Sequence, residues 1–141
     1  MKKIILKAKI NFKSELNLKN LSKINFEEKI ISKINILYDN KEFKLQELFK
    51  IQVQTSDKNE LIIFGTNRNC DYLGWKWKKG TLRIKSDVGS FLGVQMINGK
   101  IIVEGSCEHH VGSGMTGGKI FIKSDAYDFV GSPLPGRKIG M

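Results

Sequence analysis

The chain has 141 residues, of which 40% are hydrophobic and 27% charged, and its formal net charge is +10. This length suits a single domain. Two cysteines are too few for a disulfide framework, and no metal-ligand spacing is present. The start of the chain does not resemble a signal peptide, and no apolar run could span a membrane. The sequence therefore predicts a cytoplasmic protein.

The positive charge is spread along the chain. Residues 1–60 contain 13 lysines against 8 acidic residues, and residues 61–141 contain 11 basic residues against 6 acidic ones. Two interpretations stay open: a solvated lysine-rich surface, or an attraction for an anionic ligand or partner. Trp75 and Trp77 lie among three lysines, a pattern that also suits base stacking. The repeat described below places Trp77 inside the protein, so nucleic acid is not the expected partner.

The first sixty residues predict a small α+β segment. Residues 4–12 alternate as a strand does, and residues 25–34 have the capping box and apolar stripe of a helix. Residues 35–38 and 43–45 predict a hairpin. Residues 46–50 predict one helical turn. We expect residues 1–60 to cap the end of the structure that follows, because open strand edges invite aggregation.

Residues 61–141 contain a 19-residue repeat. Two series of glycines define it: Gly74, Gly93, Gly112 and Gly131 in one, and Gly80, Gly99 and Gly118 in the other. A fixed period of this length indicates stacked copies of one small unit. The predicted site residues are these seven glycines in a structural role, since tight turns need a positive φ or a missing Cβ.

Each repeat predicts three short strands and three turns. Nineteen residues leave no room for a crossover helix, so the sequence predicts a mainly β fold: a right-handed parallel β-helix that ends in mid-coil, with the N-terminal cap. Equivalent apolar residues should stack inside it. The predicted inward ladders are Leu82/Ile101/Ile120, Ile84/Val103/Ile122, Leu73/Leu92/Val111/Val130, Trp77/Met96/Met115 and Val88/Cys107/Ala126.

No residues predict catalysis or metal binding. Glu108, His109 and His110 form the one suggestive cluster, but adjacent strand residues point to opposite faces. His110 shares its register with Tyr72 and Phe91 and is predicted to join an aromatic stack. Trp75 is predicted to point outward with Val94 and Ser113, as is Cys70. The sequence therefore predicts a scaffold with no catalytic residue, no metal site and no cofactor of its own.

Three stretches resemble a known family. Residues 26–38 with 45–49, residues 112–118, and residues 124–141 with their Pro-Leu-Pro-Gly loop are similar to the C-type subunit of formylmethanofuran dehydrogenase. The similarity extends to the bacterial form of that protein in the formyltransferase/hydrolase complex. The same β-helix occurs at the C-terminus of the large glutamate synthase subunit, which is a more distant resemblance.

The resemblance implies a non-catalytic C-type subunit in one-carbon metabolism. Its partners would be an amidohydrolase-like (A-type) subunit, a B-type subunit and a formyltransferase (D-type) subunit. A methanofuran-type carrier would serve the complex, and a metal site or a molybdenum or tungsten pterin would belong to partner subunits. The carrier's anionic polyglutamate tail suits a basic scaffold, with outward Lys85, Lys100 and Lys123 as candidate contacts. Which of the two complexes is meant stays open.

Two other functions stay open, and the chain differs from the family's sequence pattern at one point. The chain could be a glutamate-synthase-like spacer, or a stand-alone binding module for an acidic ligand. Gly140 and Met141 match Gly114 and Met115, after which the family pattern would continue. The sequence thus predicts either a fragment or a shortened subunit.

Overall fold

The computed structural model describes residues 1–24, 26, 31 and 33–124. Regular structure in this part of the chain is almost entirely β, with a 3₁₀ helix at Lys19–Lys23 and an α-helical turn, α1, at Leu45–Leu48. The strands are β1 (Lys2–Ala8), β2 (Leu16–Asn17), β3 (Asn35–Tyr38), β4 (Lys41–Lys44), β5 (Phe49–Thr55), β6 (Glu60–Phe64), β7 (Cys70–Asp71), β8 (Thr81–Ile84), β9 (Lys100–Val103) and β10 (Lys119–Ile122).

The strands form two sheets. The larger has six strands in the order β10-β9-β8-β6-β1-β5, and the smaller has four in the order β4-β3-β2-β7. Strands β1, β6, β8, β9 and β10 run parallel, whereas β5 runs antiparallel to β1. In the smaller sheet, β3 is antiparallel to both β2 and β4. Both sheets therefore include strands of the N-terminal segment.

The repeat sets the register of the larger sheet. Leu82 pairs with Ile101, and Ile101 pairs with Ile120, so equivalent residues 19 apart are neighbours on adjacent strands. Leu82 and Ile101 are at most 1% exposed. The second ladder, from Ile84 through Val103 to Ile122, pairs in the same way. These two predicted ladders are confirmed.

The predicted fold class is wrong. A parallel β-helix with three strands per coil requires extended backbone along most of each repeat, but the repeats that contain β8, β9 and β10 each have one four-residue strand and, in their described part, otherwise mostly turns. Left-handed φ angles at residues 72, 74 and 76 recur at residues 91, 93 and 95. Alternate residues with φ > 0 cannot form an extended strand, so these segments are tight arcs. The result is a mixed pair of sheets.

The predicted N-terminal cap is also wrong. Ile4 and Leu6 of β1 are fully buried, and β1 lies inside the larger sheet between β5 and β6. Its residues pair with β6 just as the repeat strands pair with one another, with Ile4 opposite Leu61 and Leu6 opposite Ile63. The segment thus extends the main sheet instead of covering its end. The predicted domain division at residue 60 stays a prediction.

Other local predictions have mixed outcomes. The hairpin is confirmed as β3 and β4, joined by Asp39 and Asn40 with φ angles of 52° and 60°, and the helical turn is α1. The N-terminal strand ends at Ala8, before the 45% exposed Ile10. The predicted helix at 25–34 falls largely outside the described residues, as do Ala126, Val130 and Gly131.

The arcs bury more side chains than the alternation predicts. Trp77, Met96 and Met115 form the expected interior ladder at 2%, 0% and 4% exposure. The sequence predicts that Val94, Ser113 and Cys70 point outward, but all three are buried. That prediction is wrong because it assumes extended backbone, in which successive side chains point to opposite faces. An arc with left-handed residues does not alternate.

The buried ladder should dominate stability. We expect Ile101→Ala to lower the free energy of unfolding by about 2–5 kcal/mol, because it leaves a cavity at the centre of the stack. Ile102→Ala, on the same strand but half-buried on the opposite face, should cost less than about 1 kcal/mol. Urea denaturation of both variants measures the difference. Equal losses would contradict the assignment of the two faces.

Candidate interaction surface

The solvent face of the larger sheet carries a row of mainly apolar side chains. Residues alternate between the two faces of each strand, so the neighbours of the buried ladder residues point to solvent. Cα pairing aligns five of these neighbours across five strands, and we name them the central row: Ile5, Ile62, Arg83, Ile102 and Phe121.

Lysines border the central row on both sides. Two positions before it along the strands is the first lysine row, Lys3, Lys100 and Lys119. Two positions after it is the second lysine row, Lys7, Lys85 and Lys123, with Lys50 paired opposite Lys7. On the strands between these lysines, the equivalent positions are Glu60 and Thr81 in the first row, and Phe64 and Glu104 in the second.

Two glutamates fix the arginine in the central row. Arg83 Nε lies 3.2 Å from Glu60 Oε2, and Arg83 Nη1 lies 3.7 Å from Glu104 Oε2. Lys85 Nζ donates a 2.7 Å hydrogen bond to Glu104, and Lys123 Nζ is 4.0 Å away. The hydrogen bond from Lys85, followed by the nearby positive charges, lowers the pKa of Glu104 despite some desolvation. Glu104 thus accepts a hydrogen bond from Lys85 and forms ion pairs with three cations.

The central row ends in exposed aromatic surface. Phe121 is 49% exposed, and Phe64, beside the row on β6, is 36% exposed. Lys100 Nζ lies 5.9 Å from the ring centre of Phe121, and Lys7 Nζ lies 5.8 Å from that of Phe64. A hollow of about 660 Å³ at the Phe121 end is lined by Arg83, Lys100, Ile102, Ile120, Phe121, Ile122 and Lys123. Apolar surface and positive charge therefore coincide at this end.

An aromatic stack connects successive repeats on another side of the molecule. The rings of Tyr72 and Phe91 are 4.8 Å apart and nearly parallel, and those of Phe91 and His110 are 5.2 Å apart. The predicted stack is confirmed for these three residues. His109 is exposed, with its backbone N–H 3.3 Å from Ser90 Oγ, so the two histidines have different surroundings.

Trp75 is placed among cations but does not present a free ring. Lys19 Nζ lies 5.0 Å from the Trp75 ring centre and Lys76 Nζ lies 4.7 Å from it. Lys19 also lies 4.5 Å from the ring centre of Tyr72. Cation–π contacts of this kind compete with base stacking for the ring face. This geometry gives no support to a nucleic-acid interface.

The cysteines are buried and unreactive. Cys70 and Cys107 are both free thiols, and burial, as the largest cause, raises the pKa of each to about 12. A thiol with such a pKa stays protonated at neutral pH and is a poor nucleophile. In the described ranges, no three His, Cys, Asp or Glu side chains lie close enough to hold a metal ion.

Two aspartates join successive repeats through the backbone, a role that the sequence reasoning missed. Asp71 Oδ1 accepts a 2.7 Å hydrogen bond from the N–H of Ser90, and Asp87 Oδ1 accepts a 2.8 Å bond from the N–H of Ser106. Each bond spans 19 residues. The shared Asp-to-Ser spacing in the sequence was the available signal. Burial raises the pKa of Asp71, although the bond from Ser90 opposes this effect.

In the part of the chain that the structure describes, no helix is long and apolar enough to cross a membrane.

Comparison with known proteins relates the chain to a multi-subunit complex. No family model matches the chain, and no curated protein does. A solved structure does: the crystal structure of the formyltransferase/hydrolase complex (FhcABCD) from Methylorubrum extorquens in complex with methylofuran. The TM-score is 0.82 and the identity 30%, over 97% of this chain and 52% of that chain. This chain therefore spans about half the length of the one it resembles.

The role of Asp71 can be separated from its charge. Asp71→Asn keeps an oxygen that can accept the Ser90 N–H and removes the partly buried charge, so it should be at least as stable as the native protein at pH 7. Asp71→Ala loses the acceptor and should be about 1 kcal/mol less stable. Urea denaturation tests both variants. If Asn and Ala are equally destabilising, the bond does not stabilise the repeat.

The pH dependence of the Asp71 variants supplies a further control. Because the pKa of Asp71 is raised in the folded state, the stability that Asp71 contributes should fall as pH rises from 3.8, the ordinary pKa of the group, through the raised value. The lowered pKa of Glu104 acts in the opposite direction, so the measured quantity is the difference in stability between the native protein and Asp71→Asn across this pH range. Asp71→Asn should remove that decline, since the amide does not titrate.

The contacts of Glu104 lead to a prediction about the pKa of its carboxyl group. Lys85→Met should raise the pKa of Glu104 towards its ordinary value of 4.5, because the hydrogen bond from Lys85 is the largest cause of the shift. Lys123→Met is the matched control and should raise it less, since Lys123 is 4.0 Å away. NMR titration of the Glu104 carboxyl carbon measures both shifts. A larger effect from Lys123 would contradict the geometry.

Proposed function

We propose that this chain is the C-type subunit, a non-catalytic structural component, of a formyltransferase/hydrolase or formylmethanofuran dehydrogenase complex in one-carbon metabolism. The observation that carries the proposal is the similarity to a chain of the formyltransferase/hydrolase complex, with a TM-score of 0.82 over 97% of this chain. The sequence resemblances at residues 26–38, 45–49, 112–118 and 124–141 also favour the C-type subunit. Its partners would be the amidohydrolase-like, B-type and formyltransferase subunits.

The described surface supports a scaffold role. The main feature of the solvent face is the central row with its lysine rows, which offers partly exposed apolar side chains and positive charge to a neighbouring protein. The buried thiols have pKa values of about 12 and are unsuited to catalysis. As the resemblance implies, a methanofuran-type carrier would serve the complex, and a metal site or a molybdenum or tungsten pterin would belong to partner subunits.

The repeat glycines belong to this proposal as structural residues. Gly80 and Gly99 have φ angles of +79° and +86°. A Cβ on Gly99 would lie 2.7 Å from the carbonyl oxygen of Gly80, so the two repeats could not approach as they do. Gly131, the last of the seven, lies outside the described residues.

The contacts of the candidate lysines favour the scaffold role over direct binding of an anionic carrier by this chain. Lys85 and Lys123 are candidate contacts for a polyglutamate tail, but both already form ion pairs with Glu104. Among the described residues, Lys100 contacts no carboxylate and lies over Phe121. A carrier that bound Lys85 would have to compete with Glu104 for the ammonium group.

Co-purification from the native cells tests the proposed function. A tagged chain should recover the amidohydrolase-like and formyltransferase subunits in stoichiometric amounts, identified by mass spectrometry, because a scaffold is a permanent member of its complex. The matched control is the tag alone. Recovery of the folded bait without any of these partners would overturn the proposal.

A further inference from the structure

We propose that the central row and its two lysine rows are the surface on which another protein of the complex docks, and that this partner presents an apolar ridge bordered by Asp and Glu side chains. This inference rests on the proposed function and names the face and the chemistry of the contact.

The central row is mainly apolar although it lies on the solvent face of the sheet. Ile5, Ile62 and Ile102 are only partly buried on the solvent face, and Phe121 is 49% exposed. A sheet with one solvated face normally places polar residues on that face. Contiguous exposed apolar surface with a polar border is typical of protein–protein contact sites. Stacking at about 4.8 Å per strand makes the row about 19 Å long.

The arginine within the row fits the same interpretation. Protein interfaces are enriched in arginine and aromatic residues, and depleted of lysine and glutamate at their centre. Arg83 lies between Ile62 and Ile102 with its side chain 27% exposed, held at 3.2 Å by Glu60 and at 3.7 Å by Glu104. Its position is fixed before any partner arrives, which reduces the entropy lost on docking.

The positive charge of the two lysine rows favours a partner with an acidic surface. The two lysine rows and Lys50 place seven lysines around the central row. On this face, the described carboxylates Glu60 and Glu104 are already paired with Arg83, Lys85 and Lys123. The remaining field is positive, so a partner bordered by carboxylates is attracted and a basic one is repelled.

The same charges argue against a second copy as the occupant. Two copies meeting through this face would bring lysine rows against lysine rows. Like charges facing each other across an interface oppose association. The observations therefore favour a different, acidic partner protein.

The test uses the assembled complex and two matched double variants. Ile102→Asp with Phe121→Asp replaces apolar surface in the central row by charge that does not disturb the buried face. Ile10→Asp with Leu37→Asp makes the same change at two exposed apolar residues outside the row, at 45% and 43% exposure. Circular dichroism and thermal unfolding confirm that both variants fold. The first measurement is the amount of each partner protein that co-purifies with the tagged chain. The second is the affinity of each variant for the partner that the native chain recovers.

We expect the central-row variant to lose at least about tenfold in affinity for one partner, since truncating a few central residues commonly has this effect. The control should bind as the native chain does. Native affinity should also fall as salt is raised. Unchanged affinity of the central-row variant would overturn the docking surface and leave the proposed function intact. A native chain that recovers no partner would overturn both. A homodimer that the central-row variant dissociates in sedimentation would show a second copy as the occupant and overturn this inference alone.

Discussion

The stacking of identical inward positions along parallel strands is the constraint on which the rest of this structure depends. Leu82, Ile101 and Ile120 meet in register because each repeat returns the chain to the same place after 19 residues. The tight arcs with left-handed residues make that return possible, and the Asp71–Ser90 and Asp87–Ser106 hydrogen bonds reinforce it. A change of one residue in repeat length would shift an outward side chain into the ladder.

The same period organises the outer face. Because every strand is in register, a lysine at one height is followed by another on a nearby strand, and Glu104 lies between Lys85 and Lys123. The central row and its border are therefore consequences of the buried ladders. A surface whose chemistry is fixed in advance loses less conformational entropy when a partner binds, and in-register parallel strands supply such a surface.

The sequence correctly predicted the contacts between equivalent residues of successive repeats. It did not predict the burial of side chains in segments whose backbone is not extended. The ladders and the Tyr72–Phe91–His110 stack followed from equal spacing of similar residues. Burial of Val94 and Ser113 did not, because left-handed arcs abolish the alternation on which the prediction relied. The position of β1 inside the larger sheet was also missed, since its pairing with β6 is long-range and lies outside the repeat. The central row became visible only when the strand registers were known.

Zero-length carbodiimide crosslinking of the assembled complex tests the central claim most directly, because it joins lysine amines only to carboxylates in contact with them. We expect Lys100, Lys119 and Lys123 to crosslink to Asp or Glu residues of one partner protein, and Lys41 and Lys44 on β4 not to do so. Crosslinks from β4 to that partner, with none from the lysine rows, would contradict it.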